Sequence, residues 1–567
     1  MKLKTILKYQ DGFLLLGKFP RMKNIAILFA FASIVTFQSY SQETLWKPQD
    51  ETETIQKQQN HPIERMRYKL IASKYLDKNQ VFQPLYSEVQ AFSEKRYDAL
   101  LPLILDKDIP TLQSEISKGK FSYEELTLFF LKRIYKYELD PEKTLNTIIA
   151  LNSNVLKEAR ECDKNKRSKN NPIFGMPILL KDNIDTKEMK TTAGAAALID
   201  NTPSEDAFIV QRLKENGALI IGKANLSEWA YFFCNGCPVG YSAVGGQTLN
   251  PYGRMIFETG GSSAGSGTGV AANYAVAAVG TETAGSIISP SSQNSLVGLK
   301  PTVGVLSRSG IVPISHTLDT PGPMTKNVID NAILLDAMKG KDIADAASIT
   351  VSTNYIEEIK NATLKGKRLG VMKSLLSDSM YAATIKKLQK EGAIIVEYSA
   401  EEIDLPSFLT LLNLDMKEDL PKYLKMHDSE NIKFKNLEEI MTFNKKDSLK
   451  RMPYNQGIFD GIIADSTSAD DFLKIKEMLK TNGAEFFQKP MKEHNLDAIL
   501  SINNYHSAYA AVALYPCLTI PMGYNSSGEP FGLTFIGAPF QEAKLLQLAS
   551  AFEIKNPVRK SPSEYKE

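Results

Sequence analysis

Two serines and one lysine carry the chemistry this sequence offers. Ser286 sits in GTETAGSI, residues 280–287, bracketed by small residues. In a tight turn there, the backbone NH groups of Thr283, Ala284, Gly285 and Ser286 can converge, making an oxyanion hole without side chains. A serine in such a turn is a poor nucleophile until a base takes its proton. No histidine lies nearby. The candidate base is Lys181, which ends the apolar run Pro177–Leu180. Neutral lysine is a competent base, but burial must first push its pKa down. Ser262 can bridge the two, accepting from Ser286 and donating toward Lys181.

Ser262 belongs to GGSSAGSGTG, residues 260–269, a run that invites two other readings. A phosphate loop needs a lysine after its last glycine, and none follows. Gly261–Gly265 also fits GxSxG, with Ser263 as the nucleophile of an elbow. That mechanism requires an acid and then a histidine downstream. Asp404 or Asp497 with His494 or His506 are the available partners.

Elements must position these groups. Pro177–Leu180 and the run 218–225 read as buried strands, and VAANYAVAAVG as a small-residue helix ending at Gly280. SLVGLKPTVG, residues 295–304, reads as a strand leading into a turn at Pro301. Leu112 and Ile116, then Leu126, Phe129, Phe130 and Ile134, recur at helical spacing, and Ser122 with Glu125 makes a capping box. PCLTIPMGY and FGLTFIGAPF read as two late strands, followed by a helix over Glu542–Phe552. Alternating strands and helices predict an α/β protein with a covered sheet. Residues 340–490 are richer in Lys and Glu and read as mostly amphipathic helices, for example 408–426 and 468–480. Residues 42–104 read as a helical N-terminal extension, with a helix around Met66–Leu76, and 557–567 as a polar tail.

The 67 basic and 65 acidic residues leave a net charge of +2 in a chain of 567. That gives no electrostatic basis for binding nucleic acid or an anionic membrane surface. Met22-Lys23-Asn24, the apolar run Ile25–Phe37 and Ser39-Tyr40-Ser41 follow the order of a secretory signal, so residues 1–41 read as leader and signal and the chain as exported. A run of thirteen residues is too short for a spanning helix, which needs about 20. The four cysteines are too few for a disulfide scaffold. Cys234 and Cys237 (CNGC) read as a structural pair or two plain thiols. A thioredoxin-like context for a redox pair and a second pair for zinc are both missing.

The ordered motifs GMPILLKDN, GKANLSEWA, GYSAVGGQTLNPYG, GGSSAGSGTG, GTETAGSI, VGLKPTVGVLSRSGIVPISHTLDTPGPM, YPCLTIPMGY and FGLTFIG resemble the amidase signature family. The resemblance spans about Ile109–Phe552 and is thin through 340–490, within a domain placed at 105–556. It implies an α/β fold with a mixed, twisted sheet of about eleven strands covered by helices on both faces. It also implies a Ser-Ser-Lys triad of Lys181, Ser262 and Ser286, with the peptide bond before Ser262 cis. The two serines stand 24 residues apart, as in the family. Within it, the motifs are most similar to those of bacterial peptide amidases. Two positions depart: Ala284 stands where Asp or Gly is usual, and Ile288 where an arginine is common. The implied activity is hydrolysis of a peptide or small-molecule amide through an acyl-enzyme, without metal or cofactor. The catalytic chain of a tRNA-dependent amidotransferase and a non-catalytic binding protein are the alternatives on the same fold.

Overall fold

Runs that are apolar on both faces, such as Pro177–Leu180 and Leu219–Ile221, can be satisfied only at the centre of a covered sheet, and that is where they lie. The computed structural model describes residues 44–165, 171–427 and 432–567. The leader and signal read over 1–41 lies outside the described residues. Thirteen strands follow in chain order. The first five are β1 (Ile148–Leu151), β2 (Pro177–Lys181), β3 (Leu219–Ala224), β4 (Tyr241–Ser242) and β5 (Gly246–Gln247). Next come β6 (Ala277–Glu282), β7 (Val297–Lys300), β8 (Thr320–Thr325), β9 (Arg368–Met372) and β10 (Ile394–Tyr398). The last are β11 (Ala498–Ile502), β12 (Cys517–Tyr524) and β13 (Pro530–Ile536).

β4 and β5 form a small ribbon; the other eleven make one sheet in the order β1-β3-β2-β6-β8-β7-β12-β13-β11-β9-β10. The sheet is mixed. β2 runs parallel to both β3 and β6, and β9 to both β10 and β11, while the strands between pair antiparallel. Helices Tyr123–Glu138, Val328–Met338 and Glu542–Lys555 pack their apolar faces onto it. The capping box is present: the Glu125 amide donates to Ser122 Oγ at 3.1 Å, and the Ser122 amide to Glu125 Oε2 at 3.1 Å.

Two local expectations are corrected. The alanine-rich run does not continue as a helix to Gly280. The helix spans Ala264–Ala271, Asn273 turns left-handed at φ 57°, and Ala277–Glu282 is strand β6. Alanine is silent about period, and the buried Val276 and Val279 favour a central strand. Met66–Leu76 is not a helix. A single turn at Glu64–Met66 gives way to extended chain, tied down by Ala72 N donating to Glu51 Oε2 at 2.9 Å and Gln247 N to Ile71 O at 2.8 Å. The region 340–490 is mostly helical, as expected, but not wholly so. It supplies β9 and β10, which close one edge of the sheet, besides helices Phe408–Met426 and Ala469–Glu493.

Cys234 and Cys237 are joined as a disulfide, so the paired reading of CNGC is the one the chain takes. The polar tail is docked: Tyr565 is buried, and its carbonyl accepts from the buried Arg133 guanidinium. Among the described residues no helix is long and apolar enough to cross a membrane, and no cluster of His, Cys, Asp or Glu is arranged to hold a metal ion.

Candidate active site

β2 is hydrogen-bonded on both sides, between β3 and β6, so its last residue is delivered beside the end of β6. That residue is Lys181, fully buried. Its Nζ bonds Ser262 Oγ at 2.8 Å, Thr281 Oγ1 at 2.8 Å and Thr281 O at 3.2 Å. Burial pushes the lysine down from 10.5 to about 7, opposed by the negative charges of Asp319 and Glu282. An amine in this state is neutral in half the molecules near pH 7. If it is the base, kcat/KM for an uncharged amide is expected to rise about tenfold per pH unit below about 7 and to level off above it. A pH–rate profile on one neutral substrate checks this.

The run 260–269 then has a definite job. The Gly261–Ser262 peptide bond is cis, as the resemblance implies. A side chain on Gly261 would meet Val239 Cγ1 at 2.6 Å and Ser227 Oγ at 2.7 Å, so only glycine lets this segment approach its neighbours. Ser262 faces Lys181. Ser263, the serine of the elbow reading, is committed to structure: its Oγ donates to Thr281 O at 3.1 Å and accepts from Thr281 N at 3.3 Å. The elbow's required partners are occupied elsewhere. His506 bonds Ser501 Oγ at 2.6 Å and is pushed down to about 4 by burial, and Asp497 Oδ2 accepts from Arg368 N at 2.9 Å; no hydrogen bond joins His494 or Asp404 to Ser263.

β6 ends at Glu282, and the chain turns through Thr283–Ser286. The turn is tethered on several sides. Glu282 Oε2 accepts from the amides of Ile287 at 2.6 Å and Ile288 at 2.9 Å. The Ser263 amide donates to Ser286 O at 3.2 Å. Thr283 Oγ1 donates to Asp319 Oδ1 at 2.6 Å. The left-handed position of the turn falls on Gly285, at φ 100°, and not on Ala284, so alanine is tolerated there. Among the described residues the amides of Thr283, Ala284, Gly285 and Ser286 donate to no group of the turn, and the Ser286 hydroxyl has no hydrogen-bond partner. Ile288 starts the helix Ile288–Gln293 and is buried beside Met372, Cys517 and Ile536, so an apolar residue suits the place where the family often has arginine.

The three candidate residues are therefore brought to one place, but unequally. Lys181 and Ser262 are directly bonded. Ser286 is joined to that pair through the backbone of Ser263, and its hydroxyl is partly exposed. Four further residues complete the surroundings and were not singled out from sequence: Thr281, Asn183, Glu282 and Asp319. Asn183 Nδ2 donates to Thr281 Oγ1 at 3.0 Å, on the hydroxyl that also meets Lys181. Asp319 is half-buried, and desolvation pushes its carboxyl up to about 6, opposed by the Thr283 hydroxyl and the amides of Ser315 and Ile314. Each of these residues lay inside a quoted motif, but nothing in residue type or spacing distinguishes a carboxylate that tethers a turn from one that caps a loop.

A cavity of about 940 Å³ opens beside this cluster, its walls including Asn183, Thr281, Thr283, Ile314, Asp319 and Tyr423. Lys181, Ser262 and Ser286 do not themselves line it; their immediate neighbours do. Tyr423 belongs to the helix Phe408–Met426, so the region of thin resemblance forms one side of the cavity.

Comparison with known proteins shows the family. The amidase family model matches residues 125–502. A probable amidase from Arabidopsis thaliana is 37% identical over 506 residues, which cover 85% of this chain and 96% of the relative. The native peptide amidase of Stenotrophomonas maltophilia, known from an X-ray structure, is 36% identical with a TM-score of 0.76, covering 81% of this chain and 98% of that one. A chain of the glutamyl-tRNA(Gln) amidotransferase of Thermoanaerobacter pseudethanolicus is 30% identical over 490 residues, 80% of this chain and 97% of that relative. Likeness that runs through almost the full length of each relative means that this chain belongs to the amidase family and is a hydrolase acting on amide bonds.

Proposed function

We propose that the chain is a serine hydrolase of the Ser-Ser-Lys type that cleaves carboxamides, either peptide C-terminal amides or small aliphatic and aryl amides, through an acyl-enzyme. The observation that carries this reading is the 2.8 Å bond between a buried Lys181 and Ser262, set directly beside the turn that bears Ser286. Neutral Lys181 takes the Ser286 proton by way of Ser262, and Ser286 Oγ attacks the amide carbon. The amides of residues 283–286 receive the oxyanion, since they have no other acceptor in the turn. Protonated Lys181 returns the proton through Ser262 to the leaving ammonia or amine, and water then hydrolyses the ester by the same relay. The Ser262–Ser286 bond is open in the unliganded chain; such bonds commonly tighten when substrate binds. The likeness to a peptide amidase supports peptide amides as substrates. The secretory pattern over Met22–Ser41 supports an exported enzyme that meets them outside the cytosol.

Ammonia release across a panel of peptide amides, fatty amides and aryl amides is expected to show a strong preference for peptide amides, with a serine-reactive phosphonate labelling Ser286. Absence of both would remove the hydrolase reading in favour of a binding protein. The similarity to an amidotransferase chain keeps a second reading open to test. Under it, the purified protein releases ammonia from glutamine only when partner chains copurify with it.

A further inference from the structure

The turn that bears Ser286 is connected to the substrate side of the cavity by an unbroken series of side-chain bonds, with Asp319 at its centre. Asp319 Oδ1 accepts from Thr283 Oγ1 at 2.6 Å, while its Oδ2 accepts from the amides of Ile314 at 2.8 Å and Ser315 at 2.9 Å. One carboxylate therefore grips both the turn 283–286 and the loop Ile314–Asp319. The loop is gripped in turn from the helix Phe408–Met426. Ser315 Oγ donates to Asp415, the His316 amide donates to Asp419 Oδ2 at 2.7 Å, and the His316 ring pairs with the same oxygen at 2.8 Å. Lys476, on the helix Ala469–Glu493, holds Asp415 Oδ1 at 2.8 Å. The same helix Phe408–Met426 contributes Tyr423 and Met426 to the cavity wall.

We propose that Asp319 is a positioning residue for amide hydrolysis: through Thr283 it fixes the amide-bearing turn against the loop Ile314–Asp319, and through that loop against the substrate-side helix. The role follows from where freedom remains. Gly285, at φ 100°, has no side chain to hold the turn in place. Glu282 and Ser263 secure its far end, leaving the Thr283 hydroxyl as the side-chain tether at the end where the oxyanion amides begin. Asp319 also faces Lys181 electrostatically. The charges acting on Lys181 are Asp319 and Glu282, and Arg308 is the cation acting on Asp319. Asp319 therefore influences both halves of the site from the cavity wall, with no hydrogen bond to Lys181, Ser262 or Ser286. The proposal rests on the hydrolase reading above, with residues 283–286 as the oxyanion site.

The test is steady-state kinetics on Thr283→Val, Asp319→Asn and the double variant, with pH–rate profiles. Each single change is expected to lower kcat by about tenfold or more, because misaligned oxyanion donors act on the transition state, with KM changed less than about threefold. The double variant is expected to be no slower than the poorer single, since both remove one tether. Asp319→Asn also removes a negative charge beside Lys181, which lowers the lysine pKa further. Its acid limb in kcat/KM therefore moves to lower pH, and by more than that of Thr283→Val. Independent, multiplying losses in the double variant would overturn the shared tether, as would a raised KM with kcat kept. Thr283→Val is nearly isosteric and keeps the question answerable if Asp319→Asn fails to fold. Failure of phosphonate to label Ser286 in the unaltered protein would instead strike the underlying hydrolase reading, whatever the variants do.

Discussion

Replacing Ser286 by alanine is expected to reduce turnover of a simple amide by about 10⁴-fold or more while leaving the fold intact. The size of the loss follows from the route: the other hydroxyl on the turn, Thr283 Oγ1, is committed to Asp319 Oδ1 at 2.6 Å. Ser263, the nearest rival, is bonded to both the amide and the carbonyl of Thr281. The mildness for folding follows from the surroundings. Ser286 is a partly exposed residue and its hydroxyl bonds no other group among the described residues, so its removal breaks no hydrogen bond. Ammonia release with a thermal melt of the same preparation measures both. A variant that melts with the parent and still turns over at the parent rate would sink the nucleophile assignment.

Lys181→Met is expected to lower kcat/KM by about 10³-fold or more, and what remains should lose its dependence on pH around 7. Methionine nearly matches the side chain in length but can neither take nor return a proton. The residual rate reports the oxyanion amides and substrate binding alone. Phosphonate labelling of Ser286 should slow in parallel, since the serine is then no longer deprotonated. A variant that keeps the parent's acid limb would show that a different group titrates there, with Asp319, at about 6, the next to examine.

Much of the site was legible because its residues are placed by elements that sequence states clearly. Pro177–Leu180 is apolar at every position, which marks a central strand and puts Lys181 at its end. Ser262 lies in a run where nothing but backbone and hydroxyls is available for chemistry, and Ser286 in one whose one ionisable side chain is Glu282. Less could be read where a residue serves both periods equally. The alanines of 271–278 suit a close-packed helix and a buried strand alike, and the boundary at Asn273 depends on a left-handed turn that composition does not announce. The strands β9 and β10 were hidden by the charged helices around them; Ile394 is exposed on an edge, and Gly370 dilutes the strand pattern of β9. Asp319 was invisible as a participant for a different reason. It is 33 residues from Ser286 in the chain, and only the antiparallel pairing of β6 with β8 sets Thr320 opposite Glu282 and so brings Asp319 to Thr283.

The buried amine of Lys181 also has a thermodynamic consequence for the whole molecule. Unfolded, this lysine titrates near 10.5; folded, near 7. Below 10.5 the unfolded chain holds a proton that the folded chain gives up, so native stability declines as pH falls from 10.5 toward 7 and is unaffected by this group below that. The cost is largest at and below neutral pH and vanishes toward 10.5. The protein thus carries a standing penalty at neutral pH for keeping one base deprotonated, and the inactive Lys181→Met chain should outlast the active one in a denaturant titration at pH 7, with the difference fading as the titration is repeated toward pH 10. The group proposed as the base is thus one whose burial the rest of a large core must offset.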